Sequence, residues 1–132
     1  MRLPVLFLLF LTLTACNEAA TERPASEIAR HVAGGDPEIG RRILNDRDYG
    51  CGACHAIPGV RHARGSVGPP LHGMAVRGYV AGRLPNYPEN LVNWIYDPQR
   101  IDPQSAMPNT GISREEATHV AAYLYTLQEL PR

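Results

Sequence analysis

Apolar side chains return at helical intervals in three places along the chain, each bounded by residues that start or stop helices. Asp36 followed by Pro37 opens the first: an N-capping residue precedes a proline whose missing N–H costs nothing at the first helical position. Ile39, Gly40, Ile43 and Leu44 then fall on one side, up to about Asn45. The second runs from Pro88 to Tyr96 with Leu91, Val92, Trp94 and Ile95 apolar, and it ends before Asp97-Pro98, because a residue preceding proline disfavours helical geometry. The third runs from Ser113 to about Glu129. Ser113 and Glu116 have capping-box spacing, and Ala117, Val120, Ala121, Leu124 and Leu127 recur on one face. No run alternates as a strand would, no repeat is visible, and 45–87 and 97–112 read as Gly/Pro-rich loops. The expected fold class is mostly α.

The N-terminus follows a different pattern. After Met1-Arg2, the apolar run Leu3 to Leu13 is too short to span a bilayer and reads as an export signal. It ends in Leu13-Thr14-Ala15-Cys16, which resembles the lipobox of bacterial lipoproteins, where the cysteine receives lipid and becomes the first mature residue. Cleavage near Ala15 with Cys16 left free is the alternative. Two acyl chains, at about 0.8 kcal/mol per buried CH₂, make a lasting anchor. From Asn17 to Gly35 no hydrophobic period is sustained, so this stretch reads as a flexible tether with an end-to-end distance on the order of 25 Å and an exposed His31. The expected organisation is a signal peptide over 1–15, a membrane tether over 16–35 and one globular domain over 36–130, placed on the periplasmic side of a bacterial membrane.

Composition narrows the chemistry. Twelve Gly and twelve Pro among 132 residues leave a thin core for the chain length, a gap that a large apolar cofactor would fill. All thirteen basic residues are Arg, balanced by thirteen acidic residues to a formal net charge of zero, which argues against a nucleic-acid partner.

Cys51-Gly52-Ala53-Cys54-His55 is the C-x-x-C-H pattern of covalent c-type haem attachment. Two thiols at this spacing can add to the two vinyl groups on one haem edge, and the adjacent His55 then reaches the iron. Other uses of paired cysteines fail on specific counts. No second pair exists for zinc, no βαβ pattern surrounds the motif as in a thioredoxin-like protein, and so small a loop makes a poor structural disulfide.

With this motif in place, the sequence over about 35–128 resembles the class I cytochrome c family. The likeness is closer still to the cytochrome c domains of haem-copper oxidase subunit II, through Leu84-Pro85-Asn86, Pro88-Glu89-Asn90-Leu91, Asp97-Pro98-Gln99 and Ala106-Met107-Pro108. The resemblance implies the class I fold, three main helices and Gly/Pro-rich loops around one covalent haem. It implies that Gly40 and Leu44 cross Tyr123 and Leu124. The segment from Gly40 to Cys51 is longer than in mitochondrial-type members. Within Gly68-Pro69-Pro70-Leu71-His72-Gly73, the resemblance makes the Pro69 carbonyl the acceptor for the ring N–H of His55, against a plain Pro-rich turn. It also places Arg77, Tyr79 and Trp94 at the haem propionates, with Arg83 and Asn86 as substitutes. The competing readings of the first three are a solvated Arg, a loop Tyr and a core Trp. Met74 and Leu71 are expected in the core, His62 and His72 at surface or loop positions, and His119 likewise, on the polar side of the last helix.

The sixth iron ligand decides between carrier and enzyme. Past the signal, only Met74 and Met107 offer a thioether, and Met74 follows the segment expected to buttress His55. Met107 lies in an irregular loop between the second and third helices, where Pro108 keeps it extended. His55 and Met107 are therefore the expected axial pair, against an ordinary loop Met107 with a histidine as ligand. With both axial positions filled, the expected function is one-electron transfer between redox protein partners, a donor and an acceptor such as a haem-copper oxidase or a dehydrogenase. The alternatives are a fixed electron-entry subunit of a membrane complex and a peroxidase-like haem enzyme with a displaceable Met.

Overall fold

The computed structural model of the chain describes residues 25–46 and 49–129. The expected signal peptide, Cys16 and residues 17–24 of the expected tether lie outside the described residues.

The three expected helices form where the pattern placed them. Helix α2, Pro37–Asp46, starts where the Asp36 carboxylate accepts the N–H groups of Glu38 at 2.8 Å and Ile39 at 3.2 Å. The Ile39 N–H, the Glu38 N–H and the Arg30 guanidinium hold that carboxyl below its usual range. Helix α4 spans Pro88–Tyr96, and α6 spans Arg114–Leu124. In α6 the capping box is complete: Ser113 Oγ accepts from the Glu116 N–H and the Ser113 N–H donates to Glu116, each at 3.2 Å. Helix α6 stops short of the expected Glu129. The Thr126 and Leu127 N–H groups turn to the Tyr123 and Leu124 carbonyls, a tightened last turn. The chain then veers so that the Leu127 carbonyl accepts the Ala75 N–H at 3.1 Å.

Two expectations are corrected. The stretch read as a flexible tether contains helix α1, Ala25–Ala33, packed on α6 with Ala29 fully buried. Gly34, at φ 73°, ends it in left-handed geometry, its N–H bonded to the Arg30 carbonyl. Gly35 is buried where a Cβ would overlap the Thr118 carbonyl. Tertiary packing therefore stabilises a helix too short for its own period to announce. The second correction is an antiparallel hairpin, β1 Tyr79–Val80 and β2 Leu84–Pro85, with Val80 opposite Leu84. Ala81 and Gly82 both take positive φ at its turn. Strands of two residues leave no alternation to read.

The single turns α3, Cys51–Cys54, and α5, Pro98–Ile101, with a 3₁₀ turn at Met74–Val76, complete the described elements. Asp97 caps α5 by accepting the Arg100 N–H at 3.2 Å. At the crossing of α2 and α6, Gly40 lies directly on the α6 backbone, and a Cβ there would overlap the His119 carbonyl. Ile43, Leu91, Ile95, Val120 and Leu124 are buried around this crossing and α4, and they form the core against which the loops fold.

Candidate cofactor site

A cavity of about 460 Å³ lies between the helices and the loops. Helices α2, α4 and α6 contribute Leu44, Leu91, Trp94, Ile95, Val120 and Leu124, and the loops contribute Ile57, Val67, Leu71, Met74 and Val80, so the lining is chiefly apolar. Into this cavity the fold brings Cys51, Cys54, His55, Pro69, Arg77, Tyr79, Trp94 and Met107, and also Arg83. Residues from five separate stretches of sequence thus meet at one site.

The ring of His55 is fixed from two directions. Its Nδ1 lies 2.7 Å from the Pro69 carbonyl oxygen, which can only accept, so Nδ1 carries the proton and Nε2 keeps a free lone pair. The Gly68 backbone lies against the same ring, where any Cβ would overlap it. This loop is pinned to the cysteine turn by Gly68 N–H to the Cys54 carbonyl at 2.8 Å and Leu71 N–H to the Ala56 carbonyl at 2.8 Å. One nitrogen is spoken for, and the other is available to a metal.

Both cysteines are free thiols. Burial pushes the Cys51 thiol up, with a smaller contribution from Cys54, which is the reverse of the lowered pKa that a thiolate redox pair needs. Among the described residues, no three His, Cys, Asp or Glu side chains gather to hold a bare metal ion. The His55 and Met107 donors therefore suit an iron whose remaining bonds come from an organic cofactor. An apolar cavity of haem-like bulk, two free thiols, one imidazole of fixed tautomer and one thioether all fit haem c.

Arg77 is not a solvated surface residue. Its Nη2 donates to the Pro70 carbonyl and, at 2.8 Å, to the His72 carbonyl, which binds it to the segment carrying Pro69. Trp94 is half-buried at the cavity, and Tyr79 is 64% exposed at its edge. Asn86, expected as a substitute propionate donor, is not among the cavity-lining residues. Its amide donates to the Met74 carbonyl at 2.7 Å and the Arg77 carbonyl at 2.9 Å, and accepts from the Tyr125 hydroxyl at 2.9 Å. Burial pushes that hydroxyl up to about 12. His62 is exposed, as expected, but His119 is not a surface residue. It is half-buried, and its Nδ1 accepts the Asp36 N–H at 2.8 Å, joining α6 to the start of α2. His72 is half-buried as well. No histidine besides His55 lines the cavity among the described residues.

Met74 is buried in the core, as expected, and also touches the cavity. Met107 is placed by its own loop: its N–H donates to Ser105 Oγ at 3.1 Å, and the Ser105 N–H donates to the Asp102 carbonyl at 2.9 Å. Sequence reasoning missed the ion pair between Arg83 and Asp102, 2.8 Å apart in two loops distant along the chain. Nothing in their local sequence signals it.

Comparison with known proteins places the domain in a family. The cytochrome c family model matches residues 37–128. Over 111 residues, covering 83% of this chain, the sequence is 32% identical to cytochrome c oxidase subunit 2 of Alkalihalophilus pseudofirmus. The matched region spans 29% of that longer relative.

Proposed function

The chain belongs to the cytochrome c family, and from that premise we propose that it is a mono-haem carrier passing single electrons between redox proteins, exported and held by lipid on Cys16 at the periplasmic side of a bacterial membrane. When bound, haem c supplies an iron that gains or loses one electron. Cys51 and Cys54 would hold its edge through thioethers, and His55 Nε2 and the Met107 sulfur would bind its iron. Arg77, Trp94 and Tyr79 offer N–H and O–H donors to the propionates, whose charge is costly beside apolar surface without them. The apolar lining keeps water from the metal, and a Met ligand sets a higher potential than a second His would. With both residues on the iron, no place would remain there for a substrate.

The observation that carries this reading is that a His55 ring fixed by Pro69 and the Met107 thioether line one cavity with the two free thiols. Optical spectra of the oxidised and reduced protein, with and without carbon monoxide, test it. A carrier shows the weak far-red band of Met-ligated ferric haem and leaves carbon monoxide unbound at neutral pH; ready binding of the gas indicates an enzyme instead. Cys16→Ser is expected to move the protein from the membrane fraction to the soluble periplasm with its spectrum unchanged. A variant that stays on the membrane contradicts the lipid anchor.

The likeness to an oxidase subunit favours a second reading, a fixed electron-entry subunit of a membrane complex. Co-purification with an oxidase or dehydrogenase after mild detergent extraction would select it over the mobile shuttle.

A further inference from the structure

The hairpin and the Met107 loop are joined by one ion pair. Arg83 Nη2 lies 2.8 Å from Asp102 Oδ2, and the Asp102 side chain is only 16% exposed. Both side chains line the cofactor cavity. Arg83 is presented by a tight turn, its N–H bonded to the Val80 carbonyl at 2.9 Å, with Ala81 and Gly82 at positive φ.

Asp102 is the node of the loop that follows it. Its N–H donates to the Pro98 carbonyl at 2.9 Å, its carbonyl accepts the Ser105 N–H at 2.9 Å, and its Oδ1 accepts the Gln104 N–H at 3.1 Å. Ser105 Oγ in turn accepts the Met107 N–H at 3.1 Å. A continuous line of contacts therefore runs from Arg83 through Asp102 and Ser105 to Met107. Pro103 stiffens the stretch between, and Pro108 restrains the Met107 backbone from its other side, so a displacement at Asp102 carries to Met107 instead of dissipating.

We propose that the Arg83–Asp102 ion pair is a clasp that positions Met107: it fastens the loop to the hairpin and keeps the thioether at the iron against displacement. The proposal rests on the reading of Met107 as axial ligand. A shielded carboxylate left without its partner is costly, whereas a fully exposed pair contributes little. This pair, with Asp102 shielded and Arg83 59% exposed, falls between those limits.

The test follows the far-red band of the oxidised holoprotein as pH is raised, and takes the midpoint at which Met is displaced. Arg83→Gln and Asp102→Asn are each expected to make displacement about tenfold easier, lowering the midpoint by about one pH unit. The double variant should be no worse than either single one, because both remove the same contact. Restoring the pair in reverse, with Arg83→Glu and Asp102→Arg, should recover most of the shift. Thermal unfolding of each variant, measured in parallel, separates the clasp from a general structural role. A lowered melting temperature with an unchanged band midpoint overturns the proposal, and so does a shift with Arg83→Gln that Asp102→Asn does not share. A wild-type protein without the band refutes the ligand reading itself, whereas a wild type with the band and insensitive variants refutes only the clasp.

Discussion

The helices and the loops build the same cavity by different physics. On the helical side, α2, α4 and α6 are held by apolar burial and by backbone contact at Gly40, and they contribute Leu91, Trp94, Ile95, Val120 and Leu124 to the cavity. On the loop side nearly every chemically distinctive group is presented, and what fixes it is polar: His55 to Pro69, Arg77 to two carbonyls, Met107 through Ser105 to Asp102. The helices supply a fold, and the loops supply ligands that need something in the cavity to close upon.

That contrast has a large consequence for the chain without its cofactor. Without haem the apolar lining of the cavity faces water, and the burial that would hold the loops to the helices is lost. The double variant Cys51→Ala with Cys54→Ala, which cannot retain haem covalently, is expected to lose cooperative thermal unfolding altogether. Circular dichroism should show residual helix without a sharp transition. A haem-free variant that melts cooperatively would mean the loops hold themselves.

Damage to the helical side should instead lower stability and spare the haem spectrum. Gly40→Ala places a Cβ on the His119 carbonyl, and the forced separation of α2 and α6 should cost about 2–4 kcal/mol with the far-red band intact. Calorimetry and absorption on one sample check both halves of that expectation. Ser113→Ala removes the cap of α6 and should cost about 1 kcal/mol, again without a spectral change.

This division also explains what could be read from the sequence. Asp36-Pro37, Pro88 and the Ser113–Glu116 box announce their helices locally, and the structure places α2 and α4 within a residue of the expected bounds. The attachment motif is likewise local, five consecutive residues. Helix α1 was hidden because its stability comes from burying Ala29 and Gly35 on α6, which no short window of sequence contains. The hairpin was hidden because two residues per strand cannot alternate. The contacts of His119 with Asp36, Asn86 with Tyr125 and Arg83 with Asp102 escape a local reading for a common reason: each joins residues distant in the chain, so no short window of sequence contains both.

The smallest expected effect lies where helix and loop meet, at the Tyr125 hydroxyl on Asn86. Its pKa is raised by burial from 10.0 to about 12 in the folded protein. The unfolded chain therefore releases this proton first as pH rises through 10, and the folded state loses stability progressively until about pH 12. Tyr125→Phe removes this contribution. Its melting temperature should fall less between pH 9 and 11 than that of the wild type, as differential scanning at several pH values would show.

The identity of the loop-borne ligand is tested most directly by the far-red absorption of the oxidised protein in two methionine variants. Met107→Ala should abolish the band and open the reduced iron to carbon monoxide, while Met74→Leu, at a buried core position, should leave both unchanged. A Met107→Ala protein that keeps the band would contradict the assignment of Met107 and, with it, the electron-carrier mechanism.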